Sequence, residues 1–468
     1  MSDDAAVMGG VLGRWDGKAP DALGQTRAYR AVMARAAEKA GSLAPHFSWF
    51  VEPFGFAEIV RIENPEKRPK KGEDMLAMLR NQGFDAIQGI GGYVNFGVAP
   101  FELIHRTAVY APPAKEAAKG EKYVRGARVL DFPNVLDPKK GISHEPPDWV
   151  PRDITTYLSF NLHTTKCFWA AGDIVDEIAG AKGTFADVLE SIKNDPDGPK
   201  VDIPMELVEN LDDHAMVVTD YQLPITLQSE RVLVAVKAKN PKPLADALDR
   251  LFAADANAKA MTFRGYKIWV ITAPREDEDV LKPASVSVPD LESIPIGEDD
   301  PEEKERFALP DSAITVAYGH LLRASHVEFL KKVLDFGQTQ KSLADSLDYQ
   351  IAVAHMEKLA AGDNSFRFFT RTDEEFRPTY ELIKAGKMPL AETMFGRLLN
   401  RLFDENRKDE IPRRQRIDGR KLPDYDMVRR YLGPGGAFVT TLDDGWLITG
   451  FSLSKQQPPI EVGMNPTK

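Results

Sequence analysis

The chain has 468 residues, 43% of them hydrophobic and 9% aromatic, which suffices for a sizeable core and is too long for a single one. A formal charge of −11 argues against a dedicated nucleic-acid binder, which needs a basic face to neutralise phosphates. Cys167 is the only cysteine, so no disulfide can form within the chain, and no apolar run reaches the roughly 18–20 residues that span a bilayer.

The opening stretch, MSDDAAVMGGVLGRWDGK, lacks the basic and apolar regions of a secretory signal. Tyr29, Val32, Met33 and Ala36 then recur at helical spacing, ahead of an aromatic, strand-like run through Phe47, Trp49 and Phe50. The stretch EKRPKKGED (66–74) is basic with acids mixed in, which suits a solvated loop. A short helical stretch over 84–90 leads into a hairpin, GGYVNF…FELIHRTAVYA. The run Gly89-Ile90-Gly91-Gly92 closes that helix and opens the strand, the wrong order for a phosphate loop and the right one for a C-cap and tight turn.

Val150-Pro151-Arg152-Asp153 leads into the strand pattern TTYLSFNLH. His163 and Cys167 lie four apart, near enough on a helix to share a soft metal, but two ligands make no site. Phe185, Val188, Leu189 and Ile192 form one helical face, ended by Asn194-Asp195-Pro196. Taken as a calcium loop, the stretch to Gly198 puts Pro204 where a bidentate Glu is needed, so that reading fails. A second hairpin, HAMVVTDY…RVLVAVKA, follows a short helical stretch over 205–211. A helix is expected from Pro241 to Ala254, then a strand or hairpin through Arg264-Gly265. Between Arg275 and Arg306 twelve acidic residues face four basic ones, and 276–306 reads as an acidic linker.

Leu309-Pro310-Asp311-Ser312 leads into ITVAYGHLL, at an offset of 159 from the lead-in at Val150. His320, His326 and His355 follow without the spacing of a zinc motif. Residues 342–383 repeat the pattern of 22–61. Leu343 and Tyr349 match Leu23 and Tyr29 at an offset of 320, and Phe366, Phe368 and Phe369 match Phe47, Trp49 and Phe50 at 319. Arg371-Thr372-Asp373-Glu374-Glu375 is the densest polar cluster. Asp373 and Glu374, with His355, are the candidates for acid–base chemistry, against a capping box with Thr372 as N-cap and Glu375 at N3. RKDEIPRRQRIDGRK (407–421) supplies Arg413, Arg414, Arg416 and Arg420, a basic group for an anionic partner. A third hairpin, GGAFVTT…GWLITGFSL, follows a short helical stretch over 425–432.

These correspondences predict an α+β chain of about three divergent copies of one module, each combining antiparallel strands and hairpins with amphipathic helices. The copies span 1–147, 148–308 with the acidic linker, and 309–468. The 320-residue offset places the start of the first copy ahead of Met1, so its opening strand is expected to be missing, and an export signal could precede it.

The phrases FDAIQGIGGYVNF, SIKNDPDGPKVDI, VVTDYQLPIT, SAITVAYGHLLRASHVEFLKKVL, FTRTDEEFRPTYELIKAGKMP and VRRYLGPGG run through nearly the whole sequence. They resemble planctomycete proteins described only as membrane or secreted protein, related to a broader bacterial domain family of unknown function. The resemblance implies an extracytoplasmic or envelope location, brings no catalytic residues, cofactor or metal, and leaves the envelope partner unspecified. The expectation is a non-enzymatic repeat protein with a binding or structural role, set against a hydrolase with its site between modules two and three.

Overall fold

The computed structural model describes residues 5–18, 22–41, 43–63, 74–134, 144–226, 229–272, 312–337, 341–359, 363–386 and 418–455. The acidic stretch 276–306, the Leu309-Pro310 lead-in and Arg413, Arg414 and Arg416 lie outside the described residues.

The architecture is α+β. Among the described residues thirteen strands form one sheet in which every pairing is antiparallel. They are β1 (Phe47–Val51), β2 (Gly89–Val98), β3 (Phe101–Tyr110), β4 (Thr156–Asn161), β5 (Leu211–Tyr221), β6 (Glu230–Ala238) and β7 (Ala258–Phe263). The remainder are β8 (Tyr266–Ile271), β9 (Ser312–Ala317), β10 (His320–Ala324), β11 (Phe366–Thr370), β12 (Leu432–Leu442) and β13 (Gly445–Ser454). Their spatial order is β1-β2-β3-β13-β12-β11-β4-β5-β6-β10-β9-β8-β7.

The helices are α1 (Ala5–Trp15), α2 (Arg27–Ala40), α3 (Pro53–Glu63), α4 (Met75–Asn81), α5 (Thr164–Ala179) and α6 (Thr184–Asn194). After them come α7 (Pro241–Ala253), α8 (Val327–Phe336), α9 (Leu347–Leu359), α10 (Thr372–Lys384) and the single turn α11 (Tyr425–Val428). The face expected of α6 buries Phe185 and Ile192, and the helix expected from Pro241 is α7, which buries Leu244, Ala247, Leu248 and Leu251.

Three stretches run in the same order of strand, helices and hairpin. They are β1, α3, α4, β2–β3; β4, α5, α6, β5–β6; and β11, α10, α11, β12–β13. In each, the leading strand pairs with the first strand of its own hairpin. Neighbouring stretches then meet back to back, hairpin against hairpin at β3–β13 and leading strand against leading strand at β11–β4. Tyr29 of α2 meets Phe50 of β1 edge-on, with ring centroids 5.4 Å apart and planes at 73°. Tyr349 of α9 meets Phe369 of β11 at 5.3 Å and 77°. Such edge-to-face contacts contribute about 0.5–1.5 kcal/mol beyond the area they bury.

Both faces of the sheet are covered, because strand alternation sends apolar residues to each side. Phe369, Tyr157, Met216, Leu233 and Leu322 lie on one face under α8 and α9, and Ala108 and Leu447 of that face lie under α2. Trp269 and Ile314 lie on the other face under α7, and Val109 and Trp446 under the segment 123–130.

Three local expectations shift. ITVAYGHLL, read as one strand-like run, is two strands, because Tyr318 and Gly319 both take positive φ and turn the chain between β9 and β10. The N-cap of α10 is Arg371 rather than Thr372, with no side-chain cap, and Glu375 instead accepts from Thr370 Oγ1 at 2.6 Å. Gly91 and Gly92 sit inside β2 rather than in a turn. A Cβ on Gly92 would lie 1.9 Å from the Arg106 carbonyl oxygen, so the glycines permit close strand approach.

Phe369 is only 1% exposed, whereas Phe50 is half-buried. Phe369→Ala is expected to destabilise the chain by about 3–5 kcal/mol and Phe50→Ala by clearly less, measured as shifts of the urea-unfolding midpoint.

Candidate functional site

The first turn of α10 gathers charge from three parts of the chain. Glu374 accepts from the Tyr221 hydroxyl at the end of β5 and from Arg429 at 2.5 Å. Asp373 accepts from Lys455 at 2.6 Å and lies 3.5 Å from Arg429, while its backbone carbonyl accepts from the Tyr425 hydroxyl. Both carboxylates therefore sit against cations at a helix start, where the helix dipole also favours negative charge. The arrangement fastens together the segments that carry Tyr221, Arg429 and Lys455.

Next to it Arg371 donates to the Asp348 carboxylate and to the backbone carbonyls of Arg152, at 2.7 Å, and Ile154. Burial pushes the Asp348 carboxyl up, but Arg371 outweighs that and holds it below the usual carboxylate range.

His355 is brought to neither Asp373 nor Glu374 by any contact. It is buried in α9 with its ring edge-on to Phe101, 5.6 Å between centroids, and 6.2 Å from Phe451. Arg420 is exposed and pairs with Asp418 at 3.0 Å. Of the stretch 66–74 only Asp74 is described; it caps α4 through the Ala77 amide at 2.8 Å and pairs with Arg61. His163 precedes α5 as its N-cap, and its carbonyl accepts from the Cys167 amide at 2.8 Å. Burial pushes the Cys167 thiol up to about 11, away from a reactive thiolate. Among the described residues no three His, Cys, Asp or Glu side chains come together to hold a metal ion.

A different polar group lies buried over β4 and β5. Tyr157, Ser159 and Asn161 share one face of β4, and Asn161 is opposite His214 in the ladder. Ser159 Oγ lies 2.9 Å from His144 Nδ1 and 3.2 Å from His214 Nε2. His144 Nε2 reaches the Asn364 carbonyl at 2.8 Å, and His214 Nδ1 reaches Asn161 Oδ1 at 3.1 Å. Asn161 Nδ2 donates to the carbonyls of Asn134, at 2.9 Å, and Pro133. The sequence carried a signal for this chain: polar Ser159 and Asn161 alternate with Tyr157 on a face that should be apolar.

Proton counting describes the chain further. The Asn364 end requires Nε2–H on His144, and the Asn161 end requires Nδ1–H on His214. With both rings neutral, two bare nitrogens face the one hydroxyl proton of Ser159, so one link goes unfilled. An added proton would fill it, yet burial dominates and pushes His214 down to about 3, with His144, Lys237 and His320 acting in the same direction. Burial likewise lowers His144, and lowers His326 to about 4 with Arg231 beside it.

Comparison with protein-family models finds no match, and neither the curated proteins nor the solved structures contain one.

Because these histidines titrate lower in the folded chain than their ordinary 6.5, the unfolded chain takes up protons first. The stability they supply is complete above about pH 6.5 and is lost as pH falls towards 4 and below. The melting temperature is expected to drop steadily from pH 7 to pH 4. His214→Gln should start about 1–3 kcal/mol less stable at pH 7 and show a shallower slope, measured by thermal melts across pH.

Proposed function

We propose that the chain is a non-enzymatic repeat protein of the cell envelope, built of about three copies of one module and acting as a binding or structural element. One observation supports the repetition above others. The helix–strand–helix stretches around Tyr29 and Tyr349 carry the same edge-on ring pair, and they lie at the offset the sequence gives for them. Copies laid side by side in one sheet enlarge a surface more readily than they build one active site. The polar groups that invite a catalytic reading are engaged in holding segments together. The envelope location rests on the family resemblance of the sequence.

A hydrolase reading has one favourable feature, a serine hydroxyl within hydrogen-bond reach of two imidazoles. Ser159 is 0% exposed and both flanking histidines end on a carbonyl or amide, which favours a structural polar chain over a nucleophile.

Fractionation of cells carrying the natural gene, followed by immunoblotting, is expected to place the protein with the envelope or outside the cell. Recovery in the cytoplasm would count against that location. Ester, peptide and glycoside substrates are expected to turn over no faster than in buffer; turnover abolished by Ser159→Ala or by Asp373→Asn would overturn the non-enzymatic reading.

A further inference from the structure

The two ends of the sheet differ in kind. At one end β7 reads Ala-Lys-Ala-Met-Thr-Phe, and its exposed Lys259 is the sort of charge that blunts an edge strand. At the other end β1 reads Phe-Ser-Trp-Phe-Val, with no charge and no proline, and among the described residues it pairs with β2 alone. Phe47 at its start is 57% exposed. On α3, which follows directly, Ile59 is 56% and Ile62 76% exposed. A short strand of high β-propensity at the end of a sheet is a template for another strand.

The same sheet shows how such a strand is satisfied. Position for position, β1 corresponds to β11: Phe47, Trp49 and Val51 fall on Phe366, Phe368 and Thr370. Both strands pair on their inner side with a glycine at matching places, Phe50 with Gly91 and Phe369 with Gly436. On its outer side, however, β11 pairs with β4, another leading strand, in the register Phe366–Phe160, Phe368–Leu158 and Thr370–Thr156. That pairing is symmetric about Phe368 and Leu158, and it stacks Phe366 on Phe160 with centroids 5.3 Å apart and planes at 12°.

We propose that β1 pairs with β1 of a second copy of this chain, antiparallel and about a two-fold axis at Trp49, so that two sheets join into one. The inference rests on the equivalence of β1 and β11 proposed above. Like strands meeting across a two-fold axis must run antiparallel, the relation that β11 and β4 already show inside one chain. In the resulting register Trp49 faces Trp49 of the other copy, and Phe47 faces Val51, which stands where Phe160 stacks on Phe366.

The direct test is the mass of the full chain in solution at micromolar concentration, by light scattering after gel filtration. The expected value is about 104 kDa, twice 52.0 kDa. Phe47→Lys combined with Trp49→Lys should weaken association at least tenfold and return the mass to 52.0 kDa, while Thr262→Lys on β7 should leave the dimer intact. Circular dichroism and thermal melting establish that the double variant is folded. A second measurement does not depend on that variant. With Cys167→Ser in place, a spin label at Ser48→Cys should show strong dipolar broadening, because the two labelled Cα atoms lie about 8 Å apart at ordinary strand spacing. A monomeric wild type, a dimer indifferent to the β1 lysines, or labels too distant to broaden would each overturn the inference. A monomer would leave the internal repetition untouched, since the separate costs of Phe50→Ala and Phe369→Ala bear on that.

Discussion

The fold turns on one pairing, the antiparallel meeting of β11 with β4. It joins strands more than two hundred residues apart in sequence and unites the two halves of the sheet. Five residue pairs make this ladder, so the backbone bonds there need support from side chains. Phe366 stacks on Phe160, Tyr349 meets Phe369 edge-on, and the Arg371 guanidinium holds the carbonyls that lead into β4. Paired charges and buried rings occupy this junction.

That concentration gathers the polar residues at one junction. Glu374 and Asp373 begin the helix that leaves β11, and their partners come from the ends of β5 and β13. Ser159 lies opposite Arg367 in the β11–β4 ladder, and its two histidines bond onward to Asn364 just before β11 and to Asn161 at the end of β4. A polar network buried in a low dielectric is costly unless its members find partners, and here most of them do so across the junction, the link at Ser159 that lacks a proton being the exception. Acid attacks this arrangement through the histidines, whose buried rings resist protonation until the chain opens.

Much of the local structure was legible. The face Phe185, Val188, Leu189, Ile192 is α6, the expected helix from Pro241 is α7, and Arg264-Gly265 turns β7 into β8 with both residues at positive φ. Each expected hairpin forms, after the short helical stretch foreseen for it. These features are set by periods of 3.6 and 2 and by turn residues within a few positions of one another. Sheet order was not legible, because pairing of β3 with β13 or β6 with β10 is decided by packing between distant segments that leave no local mark. The cap of α10 moved by one residue for a similar reason: Arg371 is held by Asp348 and by the lead-in to β4, contacts that local sequence cannot report. The buried serine and histidines were visible only as polar residues on an apolar face, and their convergence came with the register of β4 on β5.

The central claim is that the polar groups around β11 and β4 hold these strands together. Hydrogen exchange followed by mass spectrometry tests it on the variant Arg371→Gln. Amides of β4 and β11 should lose protection together, while those of β2 and β3 keep theirs. Unchanged protection of β4 and β11 would contradict the account, as would a uniform loss across the sheet.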